Sequence, residues 1–506
     1  MKPILLIEVN EVPNVVLDAY ARRSPFMKAF LEKCDRYETV CADQIQLDPW
    51  IAWPSFHRGV NDQAHGILRL GQDTSVADAK YPPVWRVLAD KGVSTGVYGS
   101  LFSSAEVDHG PYRFFVPDVF SPHDEVKPAS LKSFQAFNLQ MTRNSARNAD
   151  KKIAGGGYKS ILENILSGRI SIGTCVRMAM QIVSEKLDPV KVSRRRNTQT
   201  EIHADIFASL IEKERPQFAT FYTNNVAAAM HRFWSASMRE VGTINGERLS
   251  DAWVDAYSDE VFVALESVER LLKRLMSGPY KDATIVIASA IGQEEIPAEN
   301  HASFVTISDL DAFVSAAIGE PGKPVRYETV PTMVPDFTLR FENVEDAERM
   351  NARLRSLTIG DQRAVETLER MTAKELVTAD GEMAHIRHAY DDSTHFKHAI
   401  TYFSTDARTI HLSMQIDDYA GAEKIAFGND VMDFHAAGIG RVSHDEGVNC
   451  TAQHCAEGSM LVYGASKPHA GIQRVSALDF APSLLAHFGA EAPRAYMKGK
   501  PGIRLG

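Results

Sequence analysis

Cysteine is scarce in this chain: five residues in 506, at Cys34, Cys41, Cys175, Cys450 and Cys455. Thiols this few and scattered imply no disulfide framework and suit a reducing compartment, so the cytoplasm is the expected location. Cys450, His454 and Cys455 form a soft-ligand cluster, but the spaced pairs of a structural zinc site are missing, and buried thiols are expected instead. Long apolar runs are also lacking. The opening MKPILLIEVNEVP has four consecutive apolar residues before Glu8, too short for a signal-peptide core. No window approaches the ~18 apolar residues of a membrane-spanning helix. Positive charge is in deficit: the formal net charge is -10, which argues against a nucleic-acid backbone as partner. Arg194-Arg195-Arg196 is a local exception, read as a solvated helix end, with phosphate or membrane contact as the other reading. Internal repeats and low-complexity tracts are absent.

What remains is an ordinary globular composition, 44% hydrophobic and 24% charged, in a chain long enough for one large domain with insertions. Ile4–Val9 reads as a continuous apolar strand, buried on both faces of a parallel sheet. A helix is predicted from Pro13 to about Lys33 and a strand over Tyr37–Ala42. Next come a helix over Val84–Lys91 stopped at Gly92, and a strand over Val93–Tyr98. Strand and helix alternate, which predicts an α/β sheet with ligands at the carboxyl ends of its strands.

From Leu101 to Arg215 the pattern turns helical, with a long amphipathic stretch over Ile161–Lys186. A strand over Gln217–Tyr222, a helix over Asp251–Met276 and a strand over Ala283–Ala288 follow. Pro335–Ile416 reads as an α+β insertion, and Ser459–Tyr463 and Leu478–Phe488 return to the core pattern. The expected organisation is core over 1–100, a helical cap over 101–215, core over 216–310, an α+β insertion over 311–448, and core over 449–506.

The most informative stretch is PWIAWPSFHRGVNDQAHGI, Pro49 to Ile67. A short helix over Trp50–His57 is predicted to stop at Gly59, and His65-Gly66 follows six residues later. This resembles the nucleophile segment of the alkaline phosphatase superfamily, which includes the type I phosphodiesterases and nucleotide pyrophosphatases. VSALDFAPSLLAHFG, Val475 to Gly489, resembles that superfamily's C-terminal Asp-Ile-Ala-Pro-Thr helix. The resemblance covers 1–100, 216–310 and 449–506. It implies a mostly parallel sheet sandwiched by helices, with one or two divalent ions (zinc, manganese or magnesium) and a phosphate or sulfate ester as substrate.

Carried onto this chain, the resemblance makes Glu8, His231 and His454 metal ligands. Ser55 becomes the nucleophile and Arg58 and His57 oxyanion-binding groups, with Asn225, Trp53 and Asn10 at the substrate. Bland alternatives stand beside each. Glu8 can cap a helix or pair with Arg58, Ser55 can be a first-turn helix residue, and Asn225 can cap the helix on which His231 packs beside Trp234. The chain also departs from the pattern. Ten residues before Gly59, where the nucleophile belongs, stands Pro49. Where the superfamily's strand ends in Ser-Asp-His-Gly, this chain has Ser289-Ala290-Ile291-Gly292, and Glu294, Glu295 or His301 are the nearest substitutes. Asp48 is a further nucleophile candidate. Histidines at His385, His388, His395, His398, His435 and His444 could bind metal or line a solvated loop.

Two functions therefore stand open, beside a third reading in which Asp48 or the histidines carry a metal-free reaction. One is a metal-dependent hydrolase or transferase acting on a small-molecule, glycan- or nucleotide-linked anionic ester. The other is a non-catalytic member serving as a binding or scaffold module.

Overall fold

The computed structural model describes residues 1–506 except 45–46, 69, 71, 105–110, 146–154, 239–249, 297–303, 331–335, 360–361, 364–399, 404–407, 414, 418–422, 443–450, 465–467 and 506. His301, His385, His388, His395, His398 and His444, read as metal ligands or loop residues, and Cys450 lie outside the described residues. Two compact units divide the chain, one of residues 1–142, 151–296 and 450–506, the other of 143–150 and 297–449. The stretch 101–215, expected as a helical insertion or cap, lies mostly in the unit that holds the large sheet.

That sheet has eight strands: β1 (Ile4–Val9), β2 (Cys34–Val40), β3 (Thr95–Tyr98), β4 (Phe114–Val116), β5 (Phe218–Thr223), β6 (Thr284–Ala288), β7 (Glu457–Tyr463) and β8 (Ile472–Ser476). Their spatial order is β8-β2-β7-β6-β1-β5-β3-β4. Every neighbouring pair is parallel except the two made by β7, which runs antiparallel between β2 and β6. β1 is buried along its whole length. Leu5, Ile7 and Val9 enter one core, while Ile4 and Leu6 enter another on the opposite face, as alternation along a strand requires. A strand this apolar, with Glu8 its one charged residue, is stable here because helices cover both faces.

Three predicted helices are broken, two of them where the sequence offers a capping serine. The helix expected from Pro13 divides into Asn14–Ala21 and Pro25–Leu31, since Ser24 accepts a hydrogen bond from Met27 N at 3.1 Å and Pro25 has no N–H to continue the first helix. Ile161–Lys186 becomes Gly155–Leu166 and Ile172–Leu187, the second capped by Ser171. Asp251–Met276 becomes Asp251–Tyr257 and Glu260–Ser277.

The helix Pro49–Arg58 follows β2. Asp48 is extended at its N-cap, Pro49 fills the first turn where no N–H is needed, and Gly59 ends it at φ 66°. Nearly the whole helix is buried: Phe56 stacks on Phe480 at 4.3 Å between ring centroids. Phe480 opens the helix Phe480–His487, whose entry is fixed by a capping box between Ser476 and Asp479.

A short ribbon, Gly292–Glu295 paired antiparallel with Ala452–Cys455, stands just beyond the carboxyl end of β6 and sets Gln293 opposite His454. Gly292 is required there, because a Cβ would lie 2.0 Å from the carbonyl oxygen of Glu457. The second unit has its own core, including Val305, Phe313, Leu339, Met350 and Ile410. That core lies among antiparallel strands such as Asp336–Phe341 and Thr409–Ser413 and the helices Leu310–Ile318 and Val344–Leu354.

Candidate metal centre

β1 ends at Val9, and the chain turns sharply. Asn10 N donates to Thr223 O at 3.0 Å, Val12 N to Ser289 Oγ at 3.0 Å, and Ser289 Oγ to Val9 O at 2.5 Å. Between them Glu11 takes φ 62°, a left-handed conformation costly for a residue with a Cβ and frequent where a site dictates the backbone. The turn delivers the Glu11 carboxylate, 3% exposed, to two histidines: Oε2 lies 2.9 Å from His231 Nε2 and 3.3 Å from His454 Nε2. His231 comes from the helix Asn225–Ser237 after β5, and His454 from the ribbon before β7. Among the described residues, these three form a group of His, Cys, Asp or Glu ligands whose ligating atoms all lie within 4.8 Å of one another.

Each ring is held by its other nitrogen. His231 Nδ1 lies 3.0 Å from the Ala452 carbonyl. His454 Nδ1 lies 3.2 Å from the Leu47 carbonyl and 3.3 Å from Asp48 Oδ1. Acceptors at Nδ1 place a proton there and turn Nε2 toward Glu11, the orientation that metal-binding histidines need. Glu11 is held as firmly. Asn10 Nδ2 donates to its Oε1 at 2.6 Å and Gln293 Nε2 to its Oε2. Asn10 Nδ2 also reaches Asn224 Oδ1 at 2.7 Å, and Trp53 Nε1 donates to Asn10 Oδ1 at 2.7 Å.

The electrostatics follow from this packing. Burial alone would raise the Glu11 carboxyl, but the adjacent His454 and His231 and their hydrogen bonds hold it well below the usual carboxylate range. Burial alone would lower His454, but the Glu11 charge and the hydrogen bonds that the ring donates to Asp48 and Glu11 carry it up to about 9. A buried carboxylate beside two imidazoles whose Nε2 atoms converge is a nitrogen-rich set suited to zinc. The residues present fit a divalent ion.

The structure thus brings the expected His231 and His454 together with a carboxylate that the sequence did not single out. Glu8 is elsewhere. Its side chain lies on the opposite face of β1, fully buried, with Oε1 2.7 Å from His57 Nε2 and Oε2 accepting from Ser100 Oγ at 2.8 Å. His57 is equally buried and stacks against Trp53 at 5.5 Å between centroids; burial lowers its proton affinity despite Glu8. Neither residue joins Glu11. Arg58, expected to bind an oxyanion, is buried and donates through Nη2 to Asp78 Oδ1 at 2.5 Å. Trp53 is also buried, and Asn225 is used internally, its Nδ2 donating to Asn197 Oδ1, Ala264 O and Ser267 Oγ. Asn224 is the amide that faces the site, through Asn10.

Ser55 is 1% exposed and engaged on both sides. His65 Nδ1 accepts from Ile67 N at 2.9 Å, so His65 carries its proton on Nε2 and donates to Ser55 Oγ at 2.8 Å. Ser55 in turn donates to Asp43 Oδ1 at 2.5 Å. A histidine already protonated at the shared position is no base for the serine, so the hydroxyl expected to attack is a structural bridge.

Asp43 keeps a partly exposed side, yet desolvation, with the Asp62 carboxylate beside it, raises its carboxyl to about 7. An unfolded Asp43 loses its proton near pH ~4, whereas the folded one keeps it to about 7. Between those values the unfolded state binds fewer protons, so this residue's contribution to stability falls as pH rises. Asp43→Asn should remove that fall. The urea midpoint of the variant minus that of the wild type is expected to grow from about pH 4 to pH 7 and then level off. A difference constant with pH would show that Asp43 ionises normally.

At the end of β6, Ala290 and Ile291 are fully buried in the apolar core and offer no ligand atom. Compared with known families, residues 17–406 match the model described as type I phosphodiesterase / nucleotide pyrophosphatase. The chain belongs to that family. The match takes in the Pro49–Arg58 helix and His231, while Glu11 and His454 lie outside it on either side. No curated protein matches the chain.

Similar solved structures include murine ectonucleotide pyrophosphatase / phosphodiesterase 5, at 9% identity and TM-score 0.40 over 97% of this chain and 96% of that one. An inactive form of that protein in complex with AMP and the human counterpart give the same values. A likeness that distant carries no argument about this member's site. In this type I phosphodiesterase-family chain, the side chains of Glu11, His231 and His454 converge from three segments on one cluster.

Proposed function

We propose that this family member hydrolyses an anionic phosphate or sulfate ester with the help of one divalent ion, held by Glu11, His231 and His454. The observation that carries the proposal is the preparation of the two imidazoles. Both Nδ1 atoms are tied to acceptors, and both Nε2 atoms face one buried carboxylate. A bound divalent ion would supply Lewis-acid stabilisation of charge developing on an ester oxygen. The chain's own residues do the rest. Asn10 and Gln293 fix the Glu11 carboxylate, Asp48 and the Leu47 carbonyl fix His454, and the Ala452 carbonyl fixes His231. Pro49 has no nucleophilic atom and Ser55 is enclosed, which supports water as the attacking group. The free thiols of Cys34, Cys41, Cys175 and Cys455 support the cytoplasm as the compartment.

Pro49, Ala290 and Ile291 favour a second reading, in which the same site binds an anionic ligand without turning it over. One experiment separates the two. Protein loaded with zinc, manganese or magnesium would be assayed for bound metal and against phosphodiester, phosphomonoester and sulfate-ester substrates. About one ion per chain, with turnover that chelation removes and metal restores, is the expected result. Bound metal without turnover on any ester would favour the binding module. Failure to take up any of the three metals would refute the metal site.

A further inference from the structure

The helix Ile172–Leu187 places Ile172, Val176, Met180, Val183 and Leu187 in one stripe, spaced by four, four, three and four residues. At ~100° per residue these five fall within an arc of about 80°. Their exposures are 84, 53, 65, 58 and 81%. The opposite face is the one that packs: Thr174 is fully buried, and Met178 lies against the main core. On the preceding helix, Gly155–Leu166, Leu162 and Leu166 are also exposed, with Lys159 on the same side. Single exposed apolar residues need no explanation, but a contiguous stripe of this length does.

The segment that carries the stripe is basic in a protein that is acidic overall. Residues 155–196 carry eight Lys and Arg against three Asp and Glu, a formal +5 in a chain whose total is -10. Several of the basic groups are paired, Arg177 with Glu201, Arg194 with Glu260 and Arg195 with Glu185. Lys186, beside the stripe, makes no ion pair among the described residues. An apolar stripe with a cationic border is the composition of a helix that lies in the plane of a membrane interface, its apolar side among the acyl chains and its basic side chains among anionic headgroups. A second copy of the chain fits less well, because two such faces would bring like charges together.

We propose that the Ile172–Leu187 helix, with Leu162 and Leu166 beside it, docks this protein on an anionic lipid bilayer surface without crossing it. The full-length protein should sediment with vesicles containing about 30% phosphatidylserine, with binding weakened by salt, and should ignore pure phosphatidylcholine vesicles. Met180→Glu combined with Val183→Glu should reduce vesicle binding at least ~tenfold, and Lys186→Glu should weaken it and flatten its salt dependence. All three side chains are exposed or border the stripe, so the variants should keep the wild-type circular dichroism and urea midpoint. Absence of binding to anionic vesicles overturns the proposal, as does undiminished binding by the double variant. So does a concentration-dependent dimer that the double variant abolishes in the absence of vesicles, which would assign the stripe to a second copy.

Discussion

Glu11→Ala protein should emerge from zinc loading and gel filtration without bound metal, whereas the wild type keeps about one ion per chain. Removing this carboxylate takes away the single negative charge that both imidazoles face, and two neutral nitrogens alone are a poor site for a dication. If the ion supplies several kcal/mol of transition-state stabilisation, ester turnover should fall on the order of 10³-fold. A second readout needs neither metal nor activity. In the wild type, His454 holds its proton up to about 9. Without Glu11 the burial that opposes the charged form is uncompensated but for Asp48, and the His454 titration followed by NMR should move sharply down. Glu11→Gln keeps the shape and loses the charge, so it should reproduce both effects. Full retention of metal in Glu11→Ala would mean that the ion sits elsewhere.

Glu8→Ala should do the reverse: destabilise the fold and leave the metal count unchanged. Glu8 and His57 have no exposed surface, and Glu8 also accepts from Ser100, whose hydroxyl reaches Thr220 Oγ1 at 2.7 Å. One carboxylate thus ties the Pro49–Arg58 helix to β1, to the segment after β3 and to β5. Its loss leaves the buried His57 nitrogen and a side-chain-sized cavity, at a cost of about 2–4 kcal/mol. A lower urea midpoint with unchanged zinc stoichiometry is the expected outcome. If metal were lost while stability held, Glu8 would be a ligand after all.

These two acidic residues also show how far the sequence could be read. β1 was legible to the residue, because four apolar positions in a row followed by Glu8 and Val9 admit few alternatives. The stop at Gly59 was legible because its left-handed backbone favours glycine. His231 and His454 could be picked out from the segments around them. Glu11 could not. It lies beyond the last strand residue, in a turn whose left-handed conformation at a glutamate runs against propensity, and only the contacts of Val12, Ser289 and Thr223 impose it. Glu8 looked better placed, but strand alternation points it into the aromatic core. Gln293 was hidden for a related reason: its partner across the ribbon is 161 residues away. The enclosure of Ser55 depends on His65 and Asp43, whose relation to it no spacing rule describes.

The antiparallel β7 has a consequence for how the chain matures during synthesis. β2 and β6 never touch; both are bridged by a strand that begins at residue 457, and Ser459 Oγ donates to Val12 O across 447 positions of sequence. With only the first 450 residues exported, β6 is the open edge of a five-stranded partial sheet and β2 lacks both of its neighbours, β7 and β8. Such edges are prone to pair with the wrong partner. The segment that supplies β7 and β8 closes them, and it also brings His454. Completion of the sheet and completion of the metal site are therefore one late event in the life of each molecule.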